Sequence, residues 1–260
     1  WSNKVIRHFF ILDFTINLMV KRDKIFEEGN VSGLPFTFNQ EVTEVFEDMI
    51  DRSVPGYSTS LKVIQQQTKK HFITQSNVYD LGCSLGASTT SLLNAISEQS
   101  KVIAIDSSEP MIRSCHDRFK KQIREDLVEF INEDITKSAI DNASVVVINF
   151  VLQFLKIEER TQLFKKIYNG LIPGGILILS EKVHFSSERK TKEVSDIYHS
   201  FKSKNGYSKL EISSKRDSLE GVLVTETEDQ HTTRAKEAGF KNLNKLMSNL
   251  NFLTYKFKKI

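Results

Sequence analysis

The chain has 260 residues, 39% of them hydrophobic and 27% charged, with a formal net charge of +3 at pH 7. That is the balance of a soluble globular protein able to bury a core without metals or disulfides, and it excludes a disordered or low-complexity chain. Lys and Arg are dispersed, so no direct nucleic-acid surface is expected, and Cys83 and Cys115 form no CxxC pair, which points to a reducing, cytoplasmic setting.

In chain order, Phe9-Phe10-Ile11-Leu12 is an apolar run interrupted nearby by Arg7, His8 and Asp13. It is too short and too charged to span a membrane, and no small-residue cleavage site follows. Residues 1–18 therefore read as an extension outside the fold, with Met19-Val20-Lys21-Arg22-Asp23 as a natural start. Residues 19–76 read as a helical cap. Val42, Val45, Phe46, Met49 and Ile50 recur at the spacing of one amphipathic helix. Pro55-Gly56 breaks it, and a second helix runs through Leu61, Ile64 and Phe72.

An α/β core is expected over 77–182. A strand at 77–81 leads into a glycine-bearing loop, and the next helix carries Leu92, Leu93 and Ile96. A second strand at 101–105 ends at Asp106. Ser108 then suits an N-cap and Pro110 a first helical turn, with Met111, Cys115 and Phe119 along one face. Strands follow at 128–131, 144–150 and 175–179. The 144–150 run is continuously apolar, as in a strand buried on both faces. Leu163, Phe164, Ile167 and Tyr168 mark the intervening helix, which closes at Gly170. Residues 183–236 show no strand pattern and read as a helical insertion. Residues 237–260 read as a terminal strand pair around 243–247 and 252–257. The alternation predicts a Rossmann-like α/β fold of the S-adenosylmethionine (SAM) methyltransferase type, with a mostly parallel seven-stranded sheet.

The loop has the form Asp80-x-Gly82-x-x-x-Gly86, and Asp106 stands 20 residues after Gly86. An acid at that distance after the glycines takes ribose hydroxyls in nucleotide-binding α/β folds. Ser84 stands where a dinucleotide site needs a glycine for close approach to a pyrophosphate. The loop therefore suits SAM, which has no phosphate, and an acid as early as Asp80 can meet the ligand's amino group.

Ligands of such sheets bind beyond the carboxyl ends of the strands. Asp80 to Gly86, Asp106-Ser107, Asp134-Ile135, Asn149 and Ser180-Glu181 are thus expected to converge. Asp106 accepts both ribose hydroxyls, Asp134 and Ile135 meet the adenine, and the backbone of Gly82, Cys83 and Ser84 faces the methionine end. Cys83 has no His and Asp/Asn frame and reads as a small loop residue. The six histidines show no metal-ligand spacing, so no metal is expected. After the fourth strand, Asn149-Phe150-Val151-Leu152-Gln153-Phe154 lacks the Pro-Pro-aromatic pattern of an amino-directed methyltransferase and offers no evident general base.

Four segments carry a closer resemblance. Asp48-Met49-Ile50-Asp51-Arg52-Ser53-Val54-Pro55-Gly56-Tyr57-Ser58 resembles the cap of the bacterial carboxy-S-adenosyl-L-methionine (carboxy-SAM) synthases. So do Asn149-Phe150-Val151-Leu152-Gln153-Phe154-Leu155, Leu179-Ser180-Glu181-Lys182, and the run from Asn205-Gly206-Tyr207-Ser208 to Arg216. The likeness runs from about Met19 to the C-terminus. It implies conversion of SAM and prephenate into carboxy-SAM and phenylpyruvate, through a sulfonium ylide that traps carbon dioxide. The product would serve a partner tRNA carboxymethyltransferase that builds 5-oxyacetyl uridine at the wobble position.

By position, the resemblance places Tyr57 against the ligand and Gly82, Cys83 and Ser84 at the methionine part. It puts Asp106 and Ser107 at the ribose, Asp134 and Ile135 at the adenine, and Asn149 at the reaction centre. Arg216 would pair with the new carboxylate, reaching in from the other subunit of a homodimer. Ser107 departs from the Asn common in the family at its position. Two other readings remain open: a conventional methyltransferase acting on a small molecule or tRNA, and a non-catalytic SAM-binding module.

Overall fold

The computed structural model describes residues 21–27, 35–97 and 100–260; the expected extension 1–18 and the start at Met19 lie outside them. The elements in order are α1 (Gln40–Ser53), α2 (Tyr57–His71), β1 (Asn77–Leu81), α3 (Ala87–Leu93), β2 (Val102–Asp106), α4 (Glu109–Arg118), α5 (Lys120–Arg124) and β3 (Val128–Asn132). Then come β4 (Ala143–Asn149), α6 (Ile157–Gly170), β5 (Leu171–Lys182), α7 (Glu188–Lys204), α8 (Lys209–Leu219), α9 (Glu228–Glu237), β6 (Lys241–Asn249) and β7 (Phe252–Lys258). Among the described residues the strands form one seven-stranded sheet of order β3-β2-β1-β4-β5-β7-β6. The first five strands run parallel, and β7 and β6 close the edge antiparallel.

The central strands alternate their side chains between two cores. On β4, Val146 and Ile148 join Phe164, Ile167 and Phe240 on one face, while Val145 and Val147 join Ile64, Leu92 and Ile112 on the other. On β5, Leu177 and Leu179 share the first core, and Ile176 and Ile178 the second. This period of two on strands covered from both sides is why the runs look continuously apolar in sequence. A third cluster seats the cap: Val42, Val45, Phe46 and Met49 of α1 pack on Leu85 of the glycine loop and Met111 of α4.

Local signals explain the helix ends. The Asn39 side chain accepts the Val42 N–H at 3.0 Å, and the Ser108 side chain caps α4 at Met111. Gly56, with φ +79°, turns the chain between α1 and α2. The fifth strand differs from expectation, beginning at Leu171 instead of 175. Leu171 pairs with Ala143 and Ile176 with Val145, so Ile172-Pro173-Gly174-Gly175 bulges out between two paired positions. Pro-Gly-Gly reads as a turn, but a bulge lets the strand start on its far side. The short helix α5 was not expected from the sequence.

The buried Arg160 anchors the long 183–226 excursion to the core. Its guanidinium donates to Glu226 Oε2 at 2.7 Å and to the carbonyls of Leu155 and Val224 at 2.8 and 2.9 Å. Arg234 takes the other Glu226 oxygen, so one carboxylate joins α6, α9 and the segment before α9.

The two longest segments of family resemblance, about 150 residues apart, pack on each other. Asn205 Nδ2 donates to the Arg52 carbonyl at 3.2 Å, and Tyr198 Oη, on α7 ahead of the second segment, to the Ser53 carbonyl at 2.8 Å. The Arg52 guanidinium lies 3.9 Å from the centre of the Tyr207 ring.

Candidate active site

A cavity of about 740 Å³ lies beyond the carboxyl ends of β1, β2, β4 and β5, roofed by α1, α2, α7 and α8. Its wall contains Tyr57, Gly82, Cys83, Ser84, Asp106, Ser107, Asp134, Ile135, Asn149 and Arg216. These ten residues, all named from the sequence, thus reach one hollow. Their separation along the chain collapses because parallel strands deliver all their following loops to the same edge.

The loop after β1 is fixed by its neighbour. The N–H groups of Gly82 and Cys83 both donate to the Ile105 carbonyl, at 2.8 and 3.0 Å. Gly82 has φ +80°, and a Cβ there would collide with the Val151 side chain. Ser84 also adopts the left-handed region, at φ +48°, and its N–H donates to Asp106 Oδ2 at 2.9 Å. Ser108 N–H donates to Asp106 Oδ1 at 2.8 Å. Each carboxylate oxygen therefore spends one acceptor site on the backbone and keeps another for a hydroxyl, as a ribose pair requires. Burial raises the Asp106 pKa, and the two backbone donors oppose that rise.

Asp134 is held by its own turn. The Thr136 N–H and hydroxyl both donate to Oδ1, at 2.9 and 2.8 Å. Burial works to raise its pKa, but the Thr136 bonds and the nearby Lys137 and Lys166 outweigh it and lower it, so Asp134 stays an acceptor. Ile135 beside it is buried. An acid with an apolar neighbour can meet an adenine amino group and ring face.

Asn149 ends β4. Its Nδ2 donates to Ser88 Oγ at 3.1 Å, while its buried Oδ1 has no partner among the described residues. An orphaned buried acceptor on a cavity wall is a position awaiting a ligand donor. Phe150 follows at φ +62°, a strained conformation for a bulky residue, and its N–H is tied to the Ser180 carbonyl at 2.8 Å. The ring faces Tyr57 at 6.3 Å and Phe252 at 5.8 Å. Burial, with Asp80 and Glu47 nearby, pushes the Tyr57 hydroxyl well up, so it remains a donor. Arg216 lies on α8, whose start is closed by a Ser208–Glu211 capping box. Its side chain is 64% exposed and bonds to Asp217 Oδ1 at 2.9 Å.

Two expected participants lie beneath the wall. Asp80 is buried and accepts the Thr89 hydroxyl at 2.6 Å; burial raises it to about 7. It is not among the wall residues, and its bond to Thr89 ties the end of β1 to α3 beneath the loop. Glu181 is likewise buried, accepting the N–H groups of Leu152 and Gln153 at 2.7 and 3.2 Å. Burial raises it to about 8, and its work is to hold the turn after β4. Cys83 keeps its thiol protonated, because burial pushes it well up, and it offers the loop only backbone and bulk.

Sequence reasoning missed Lys182, Tyr198, His199, Lys202 and Lys215, all on the cavity wall. The available signal was the position of Lys182 at the carboxyl end of a parallel strand. For the others the Tyr198 to Lys202 spacing of one helical turn says only that they share a face. Among the described residues no three His, Cys, Asp or Glu side chains gather as a metal site, and no helix is long and apolar enough to cross a membrane.

Comparison with known proteins agrees with this architecture. A family model described as a methyltransferase domain matches residues 78–175. The carboxy-SAM synthase of Psychromonas ingrahamii is 42% identical over 235 residues, covering 90% of this chain and 97% of that protein. That of Hydrogenovibrio crunogenus is 46% identical over 220 residues, covering 85% and 88%. Among solved structures, an O-methyltransferase family protein from Burkholderia thailandensis superposes with a TM-score of 0.61 at 15% identity. It covers 89% of this chain, which spans 66% of that one, and at that identity the likeness speaks for the fold alone.

Proposed function

The chain belongs to the carboxy-SAM synthase family, and on that premise we propose that it converts SAM and prephenate into carboxy-SAM and phenylpyruvate. Prephenate loses carbon dioxide and hydroxide as its ring becomes aromatic. The hydroxide removes a proton from the methyl group acidified by the sulfonium, leaving water, and the resulting ylide carbon bonds to the carbon dioxide. No protein base is needed, which accords with the wall around Asn149. The cavity's part is to hold both substrates and keep water out while carbon dioxide is free.

The observation that carries this reading is that Arg216 lines the same cavity as Ser84 and Asp106. A guanidinium matches a carboxylate through two hydrogen bonds, whereas a methyl group gives it nothing to hold, so a conventional methyltransferase has no use for it there. Asn149, Tyr57 and the loop residues 82–84 would position the methionine end, Asp106 and Ser107 the ribose, and Asp134 and Ile135 the adenine.

We assign the protein to the cytoplasm, as supplier to a tRNA carboxymethyltransferase that forms 5-oxyacetyl uridine. We further propose a homodimer in which the exposed Arg216 serves the neighbouring subunit's site. Mixing Arg216→Ala with Asp106→Asn chains should then restore activity, and failure to do so would confine Arg216 to its own chain.

Mass spectrometry after incubation with SAM and prephenate tests the reaction. A species heavier than SAM by one carbon dioxide, formed only when both are present, is the expected product. Recovery of SAM or S-adenosylhomocysteine alone would reject the synthase.

A further inference from the structure

The cavity holds more positive charge than one new carboxylate requires, and its cations differ in how they are satisfied. Arg216 is bonded to Asp217, and Lys215 Nζ to Ser53 Oγ at 3.1 Å with Asp23 at 3.9 Å. Lys182 and Lys202 have no such partner. Among the described residues no carboxylate lies within ion-pair distance of either ammonium, and neither ammonium has a hydrogen-bond partner. What they share is the Tyr198 ring, whose centre is 4.7 Å from Lys182 Nζ and 4.6 Å from Lys202 Nζ.

Lys202 is only 6% exposed. Burial, together with Lys182, Lys215 and Arg216, pulls its pKa down to about 7, and burial lowers Lys182 as well. Two like charges brought together, desolvated and left without an anion, are a cost that folding alone does not explain. Such a cost is characteristic of a functional site.

Resting on the reading above, we propose that Lys182 and Lys202 form a carboxylate subsite on the Tyr198 ring. It holds the 2-oxoacid carboxylate of prephenate, the one that survives into phenylpyruvate. Two observations select this carboxylate over the one that leaves. An aromatic strip runs from Tyr57 through Phe150 and Phe252 to Tyr198, with neighbouring centroids 6.3, 5.8 and 5.3 Å apart. It spans from the candidate reaction centre to the lysine pair and suits a six-membered ring between them. Decarboxylation also discharges the departing carboxylate as neutral carbon dioxide. A pair of ammonium groups on that carboxylate would stabilise the ground state over the transition state and slow the reaction. On the spectator carboxylate the same charges bind without that penalty.

The test is equilibrium binding of phenylpyruvate to protein loaded with S-adenosylhomocysteine, with the neutral phenylpyruvate methyl ester as comparison. Lys182→Met and Lys202→Met keep the aliphatic stem and remove the charge. Each should weaken phenylpyruvate by about tenfold or more, leaving the ester and S-adenosylhomocysteine unaffected. Lys202→Arg should retain preference for the acid. The melting temperature should hold or rise, because an unpaired buried charge has gone. Unchanged phenylpyruvate affinity in the double variant would overturn the subsite. So would a parallel loss of S-adenosylhomocysteine, which would assign the lysines to the methionine carboxylate. Wild-type protein that forms carboxy-SAM while the double variant binds phenylpyruvate normally rejects the subsite alone. Wild-type protein that forms none rejects the underlying reaction and the subsite with it.

Discussion

The backbone N–H of Ser84 lies 2.9 Å from Oδ2 of Asp106, joining the loops that end two neighbouring parallel strands. The bond makes the proposed ribose acceptor and the glycine loop one rigid unit. Asp106→Asn turns an amide donor toward either the Ser84 or the Ser108 N–H and halves the acceptor capacity. We expect SAM affinity to fall by about 2 kcal/mol, roughly thirtyfold, by calorimetric titration. Ser84→Gly should be nearly neutral at φ +48°, whereas Ser84→Val should cost about 1–2 kcal/mol in stability because a β-branched residue is strained there.

Arg216 is exposed and contributes little to folding, so its removal should be visible only in ligand chemistry. Arg216→Ala should abolish retention of carboxy-SAM through purification and spare S-adenosylhomocysteine binding, with an unchanged melting temperature. Arg216→Lys should recover little, because an ammonium cannot present the bidentate fork. Carboxy-SAM retained by the Ala variant would remove Arg216 from the site.

Glu226 carries the opposite expectation. It is 3% exposed and neutralises the buried Arg160 and Arg234 together. Glu226→Ala leaves both guanidinium groups without their anion and should destabilise the protein by about 3–5 kcal/mol in denaturant unfolding. A change below about 1 kcal/mol would show that water or backbone carbonyls satisfy the arginines unaided.

Stability should also weaken in mild acid. Burial pushes His231 down to about 4; Glu226 favours its charged form, but Arg234, Arg160 and His184 oppose it. Partial burial and Lys256, Lys258 and Lys70 bring His71 to about 4 as well. Both values lie below the 6.5 of an unperturbed imidazole, so the unfolded chain takes up protons first. The stability contributed by neutral imidazole is complete above pH 6.5 and is lost as the pH falls toward 4. Melting curves between pH 7.5 and 5 should show this decline. His231→Leu, which removes the more deeply buried ring, should flatten it, and an unaltered slope would place the acid sensitivity elsewhere.

The sheet was legible because its signals are local. Period-two burial on both faces gives β4 six consecutive buried residues, and no solvent-facing strand reads that way. The glycine loop and Asp106 were legible because the close approaches at Gly82 and Gly86 demand residues without a Cβ. The start of β5 was obscured because its pairing resumes across a bulge, and pairing is not a local property.

The sequence by itself determined the α/β order, the loop, and the strand ends where ligand-binding residues gather. These depend on backbone preference and hydrophobic period, which act over a few neighbouring residues. Only the tertiary structure decided that Asp80 and Glu181 support the site from below, whereas Lys182 and Lys202 face into it beside Tyr198. Burial and charge pairing depend on what packs against a residue from distant elements. A lysine on α7 and one at the end of β5 look like ordinary surface charges until the fold brings them to one ring, with no anion beside them among the described residues.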